Sequence, residues 1–181
     1  SGQHKMNFMV KNKLSLVFVI LLVTSLFSPS KSYSKELGNS FITIVNPVRI
    51  STYTESSAVS LQKEYEEIRK KDFPATWLLT YDAIANKSLF EVFSLMDDSQ
   101  EFGIFLEVTE KFSNNSGISY NKTNSWHHAT SVFLSGYRQE DRKKLIDTVF
   151  NEFKEKFGYY PKSVGGWWVD AFSLSYMQEK Y

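Results

Sequence analysis

The sequence predicts an α/β fold of about four parallel strands with flanking helices, and three observations carry that reading. Short runs of β-branched and aromatic residues alternate with longer stretches of helical period, the pattern of successive β-α units feeding a parallel sheet. The strand runs are almost continuously apolar, as expected of strands covered on both faces. No repeat or Pro/Gly-rich linker interrupts the pattern, and 181 residues suit one domain of ordinary size.

The first 34 residues stand apart. Lys11 and Lys13 precede an apolar run from Leu14 to Phe27, and small residues follow in Ser28-Pro29-Ser30-Lys31-Ser32. This is the layout of a secretory signal peptide, a run short for a membrane span, so 1–34 is expected to be a leader, with an uncleaved N-terminal anchor as the alternative, and either way the protein is exported to the cell envelope or medium. Within it, Met6 reads as the initiator and residues 1–5 as a non-native extension. No stable membrane span is expected once the leader is cleaved. Four of the 21 Lys and Arg fall in this leader and none of the 20 acids, so residues 35–181 carry 17 basic against 20 acidic residues. A domain near −3 with no Lys/Arg block is a poor nucleic-acid binder. The chain has no cysteine, so an exported domain must rely on its apolar core rather than on disulfides.

Taken in order, Phe41-Ile42-Thr43-Ile44-Val45 predicts the first strand, ended by Asn46-Pro47 because Pro47 cannot donate to a ladder. Leu61, Tyr65 and Ile68 give 58–71 one apolar helical face. Pro74 to Leu79 predicts a second strand, 87–96 a second helix, and Phe102 to Val108 a third strand. The Asn/Ser/Thr-rich stretch 109–125 reads as a long functional loop. Leu145, Val149, Phe153 and Phe157 recur every four residues in the strongest helix, 140–157, which Gly158 stops. Val164 to Val169 predicts a fourth strand, with Trp167 and Trp168 on opposite faces, one under the helices and one facing inward. A last helix opens near Phe172 and breaks off at Tyr181, the pattern of a segment of a longer barrel.

In such a sheet the strand C-termini converge on one face, where α/β proteins place their chemistry. Reading those ends gives Asn46 and Arg49, then Tyr81 and Asp82, then Glu107 and Glu110, then Asp170. Glu107 and Asp170 are the expected catalytic pair, since hydrolysis of a glycosidic or amide bond needs one group to take a proton and another to give one. Asp170 equally suits the N-cap of the helix that follows it. Asn46, Arg49 and Asp82 would bind substrate, and Trp126 or Trp168 would stack on a sugar ring. His127 and His128 are the weaker metal-ligand candidates, because adjacent residues point apart and no HxxxH or HExxH spacing is present. GxGxxG, P-loop, GxSxG and catalytic-cysteine patterns are absent, which disfavours nucleotide and thiol chemistry.

Four segments together resemble the polysaccharide deacetylase-like superfamily: Phe41 to Arg49, Pro74-Ala75-Thr76-Trp77-Leu78-Leu79, Glu101 to Glu107, and Phe157-Gly158-Tyr159-Tyr160-Pro161 leading to Asp170. The resemblance covers roughly 40–181 and implies the N-terminal part of a deacetylase-type (β/α) barrel acting on polysaccharide or oligosaccharide. Active members carry an Asp-Asp pair after the first strand, where this chain has Asn46-Pro47-Val48-Arg49. They carry an H-x-x-x-H motif after the third, where it has Glu107-Val108-Thr109-Glu110. The divalent metal that the resemblance implies therefore has no matching ligands here. The expectation is a divergent carbohydrate-active hydrolase, or alternatively a non-catalytic carbohydrate-binding relative.

Overall fold

Four parallel strands stand in chain order in a computed structural model that describes residues 43–51, 53, 56–125 and 127–181. The leader, Phe41, Ile42 and Trp126 lie outside the described residues. The strands are β1 (Val45–Val48), β2 (Ala75–Leu79), β3 (Gln100–Leu106) and β4 (Val164–Gly166), each hydrogen-bonded to its sequence neighbour. They form a half-barrel flanked by seven helices among the described residues: α1 (Ser57–Arg69), α2 (Tyr81–Ile84), α3 (Lys87–Phe93), α4 (Glu110–Asn115), α5 (Ala129–Val132), α6 (Gln139–Phe157) and α7 (Ala171–Lys180). The expected α/β class with about four parallel strands is observed. The described residues from Thr43 to Tyr181 belong to one compact unit.

Alternation along the strands sorts the side chains. Val48, Trp77, Leu79, Ile104 and Leu106 pack beneath the helices, and all are buried. Burial of side chains this size stabilises by about 1.5–3 kcal/mol each before entropy is counted. The Trp77 indole N–H, wholly enclosed, donates to Gln100 Oε1 at 3.0 Å, so the core holds no orphaned donor there. From α6, Leu145, Ile146, Val149, Phe150 and Phe153 cover this face, and Gly158 ends that helix at φ 81°, a left-handed conformation that glycine adopts without a Cβ penalty.

The opposite face carries Leu78, Gly103, Phe105 and Gly165, and there the backbones crowd. A Cβ on Gly103 would meet Ser163 Oγ at 2.3 Å and the Ser163 carbonyl at 2.5 Å, while Ile104 N–H donates to that same carbonyl. Glycine at 103 is what lets β4 approach β3.

Three expectations need correction. The first strand runs through Pro47 instead of stopping before it. Ile44 and Val48 carbonyls accept from Thr76 of β2 and from Thr80 just after it, so Pro47, between them, turns its nitrogen toward the open edge and costs the ladder nothing. The fourth strand stops at Gly166, because its β3 partner there, Leu106, is the last residue of β3. Both tryptophans therefore lie beyond the strand, with Trp167 51% and Trp168 62% exposed, and neither is core. The stretch read as one long loop holds α4 and is followed by α5: the Thr109 side chain caps α4 by accepting from Phe112 N–H, and Phe112 is buried against Tyr81 with ring centroids 4.7 Å apart. No helix among the described residues is long and apolar enough to cross a membrane.

Candidate functional site

Three strand ends supply the site. Arg49 follows β1, Glu107 follows β3 and Trp167 follows β4, so the parallel register delivers all three to one end of the sheet. Arg49 donates to Glu107 Oε1 from Nη2 at 2.8 Å and from Nε at 3.1 Å. The Trp167 indole donates to Glu107 Oε2 at 2.7 Å. The Arg49 guanidinium also lies 5.7 Å from the centre of the Trp167 ring, and that ring meets Phe105 edge-on at 5.4 Å. Glu107 itself is buried, an acidic side chain held by charged and neutral donors and kept from bulk water.

A cleft of about 480 Å³ opens onto Glu107. Its floor is Arg49, Glu107 and Val108, and its walls carry Ser51, Tyr53, Thr109, Tyr120, Thr123 and Ser125, with Glu110 and Lys122 paired at 3.6 Å. Burial raises the Tyr120 phenol above its ordinary pKa. A hydrogen bond with Ser131 opposes that shift, and the charges of Glu107 and Glu110 add to it.

The wall draws on residues 117–125 and 127–137, which are knitted to one another and to the segment that follows β3. Val108 N–H donates to the Val132 carbonyl at 2.9 Å. The Asn121 amide donates to the carbonyls of Thr130 and Gly136, Ser131 Oγ donates to the Asn121 carbonyl, and Tyr137 OH donates to the Ser131 carbonyl. Burial pushes the Tyr137 phenol up to about 12. Close approach of the chain to itself requires Gly136, since a Cβ there would stand 2.3 Å from the Thr130 carbonyl oxygen.

The other expected site residues fall elsewhere. Asp170 caps α7, accepting from Ser173 N–H at 3.0 Å and Ser173 Oγ at 2.7 Å, and pairs with Arg142 at 3.0 Å. Burial alone would raise its pKa, but the Ser173 bonds and the Arg142 charge outweigh that and set it below the usual carboxylate value. No hydrogen bond or ion pair joins Asp170 to Glu107 among the described residues. Asn46 and Asp82 do not line the cleft. The Asn46 side-chain nitrogen and Asp82 Oδ1 are buried and lack hydrogen-bond partners in the described structure. Trp168 projects from the loop after β4, and Trp126 lies outside the described residues. His127 shares a hydrogen bond with Ser125 at 2.8 Å, and its ring meets that of His128 at 5.8 Å. Among the described residues no group of three or more His, Asp and Glu is placed to hold a metal ion.

Trp167, which bonds Glu107, and Tyr120, which lines the cleft, are among the residues that the sequence did not single out for the site. The pair Trp167-Trp168 was singled out with Trp168 as the sugar-stacking ring, and the structure bonds the other indole, Trp167, to Glu107. Tyr120 had no signal beyond its place in a polar stretch.

The chemistry available follows from the carboxylate's bookkeeping. An ionised carboxylate offers about four acceptor positions. Arg49 takes two on Oε1 and Trp167 one on Oε2, which leaves one position on Oε2 without a donor among the described residues, on a side chain that lines the cleft. A ligand hydroxyl is such a donor. No family model, no curated protein and no solved structure matches this chain.

Proposed function

We propose that the strand-end cleft binds a carbohydrate, with Glu107 as the fixed acceptor for a sugar hydroxyl. The observation that carries this reading is the single open acceptor position on a buried Glu107 whose orientation is set from both sides by Arg49 and Trp167. A sugar presents many hydroxyl donors and a flat apolar face. The cleft offers the acceptor, the hydroxyls of Ser51, Thr109, Thr123 and Ser125, and the rings of Tyr53 and Tyr120. Its charges, Arg49 and Lys122 against Glu107 and Glu110, balance, which suits a neutral sugar. With the exported character that the leader predicts, an envelope or extracellular polysaccharide is the substrate class, in keeping with the polysaccharide deacetylase-like resemblance.

A second, catalytic reading rests on Glu110, which lines the same cleft and gives it two carboxylates. Hydrolysis of a glycosidic or N-acyl bond would have water as the attacking group, with Glu107 taking its proton and Glu110 giving one to the departing oxygen or nitrogen. Isothermal titration with β-1,4-linked gluco- and N-acetylgluco-oligosaccharides tests binding. The wild type should bind with a Kd in the micromolar to millimolar range, and Glu107→Gln should weaken this at least tenfold. Equal affinity in the two proteins would remove Glu107 from the site. Release of acetate or of new reducing ends, lost in Glu110→Gln while binding persists, would select the catalytic reading.

A further inference from the structure

Beside the polar cleft lies a second pocket of about 300 Å³, lined by His127, Val132, Phe133 and Trp167. Val132 lines both spaces. Trp167 joins them chemically: its indole N–H is spent on Glu107 in the cleft while its ring walls the pocket. Ser125, on the cleft wall, holds His127, on the pocket wall, by a hydrogen bond. Among the described residues that line the pocket, His127, Phe133 and Trp167 present aromatic rings and Val132 an aliphatic side chain. A cavity of half this size lined by apolar groups accepts benzene.

We infer that the pocket seats a flat aromatic group carried on the sugar as an ether or ester, while the sugar itself occupies the cleft. This rests on the carbohydrate reading above. It extends that reading from a bare sugar to an aryl-substituted one. The two spaces adjoin at Val132, which lines both, and at Trp167, which bonds Glu107 and walls the pocket, so a substituent on the sugar edge nearest Trp167 would be placed beside the pocket. Offset or edge-to-face contact with Trp167 and Phe133 would add to the area buried. A second sugar ring would bring its hydroxyls to a lining that, among the described residues, offers one polar side chain, His127.

The test compares the methyl and 4-nitrophenyl β-glycosides of glucose and N-acetylglucosamine, together with cellobiose and free 4-nitrophenol, on the full chain by titration calorimetry. The aryl glycosides should bind about tenfold more tightly than their methyl counterparts. Phe133→Ala should cut that advantage below threefold and leave methyl glycoside affinity unchanged. Since Phe133 is partly buried, its thermal midpoint is measured alongside, and saturable quenching of wild-type tryptophan fluorescence by 4-nitrophenol supplies a readout that needs no variant. Binding of 4-nitrophenol with no binding of any methyl glycoside would sink the carbohydrate reading and keep the aromatic pocket. Equal affinity of methyl and aryl glycosides, or cellobiose binding as tightly as the aryl glycosides, would overturn the inference.

Discussion

Removing Arg49 should cost more stability than neutralising the carboxylate it holds. Arg49→Ala leaves Glu107 buried with only the Trp167 indole as donor, while Glu107→Gln keeps an acceptor for that indole and leaves no buried charge. Breaking a fully buried pair from one side costs about 3–5 kcal/mol. The Arg49 side chain is 34% exposed, so water can reach part of the vacated space and the figure falls to about 2 kcal/mol. At a urea slope of about 2 kcal/mol per molar, that lowers the unfolding midpoint by about 1 M. Glu107→Gln should cost no more than about 1 kcal/mol, the net value of an ordinary hydrogen bond. The double variant Arg49→Ala, Glu107→Gln should then be more stable than Arg49→Ala alone, since it removes the stranded charge. Urea unfolding at pH 7, followed by far-ultraviolet circular dichroism, reads all four proteins. If Arg49→Ala unfolds within 0.2 M of wild type (about 0.4 kcal/mol at that slope), or if the double variant is the least stable of the set, Glu107 is not held as described.

Gly103→Ala should destabilise by about 1–3 kcal/mol, the range for overpacking a tight interior, because its methyl would strike Ser163 and separate β4 from β3. Thermal unfolding checks it, and an unchanged midpoint would mean the strands are not so close. Asp170→Ala should cost about 1–2 kcal/mol at pH 7 through loss of the α7 cap and of the Arg142 pair. The Asp170 pKa is lower folded than unfolded, so its contribution is complete above about pH 4, the ordinary range for Asp, and fades as pH falls through the folded value. The stability gap between wild type and Asp170→Ala should thus narrow below pH 4, and a gap that widens on acidification would refute the assignment.

Much of the fold was legible because period and capping are local. The α6 stripe from Leu145 to Phe157, its Gly158 stop, and the Asp170 cap follow from spacing and neighbouring residues, and the structure shows each. What escaped depends on partners distant in the chain. Pro47 sits inside β1 because β1 is an edge strand, a fact set by which strands pair. Trp167 was expected in a strand, but β4 ends where its β3 partner ends, so pairing and not propensity decided which indole reaches Glu107. Arg49 and Glu107 were each legible as strand-end residues. Their bond, across 58 positions of sequence, was not. Asp170 and Glu107 share the strand-end pattern, yet the nearer claims of Ser173 and Arg142 occupy Asp170.

The most direct measurement of the central claim is the indole N–H spectrum of a ¹⁵N-labelled sample titrated with β-1,4-linked oligosaccharide. The Trp167 indole proton, bonded to Glu107 at the cleft, should shift progressively with ligand, and the shift should vanish in Glu107→Gln. The Trp77 indole, enclosed and bonded to Gln100, should stay fixed as the internal control. A saturating titration that leaves Trp167 unmoved would contradict the account, because the sugar would then bind somewhere other than the Glu107 cleft.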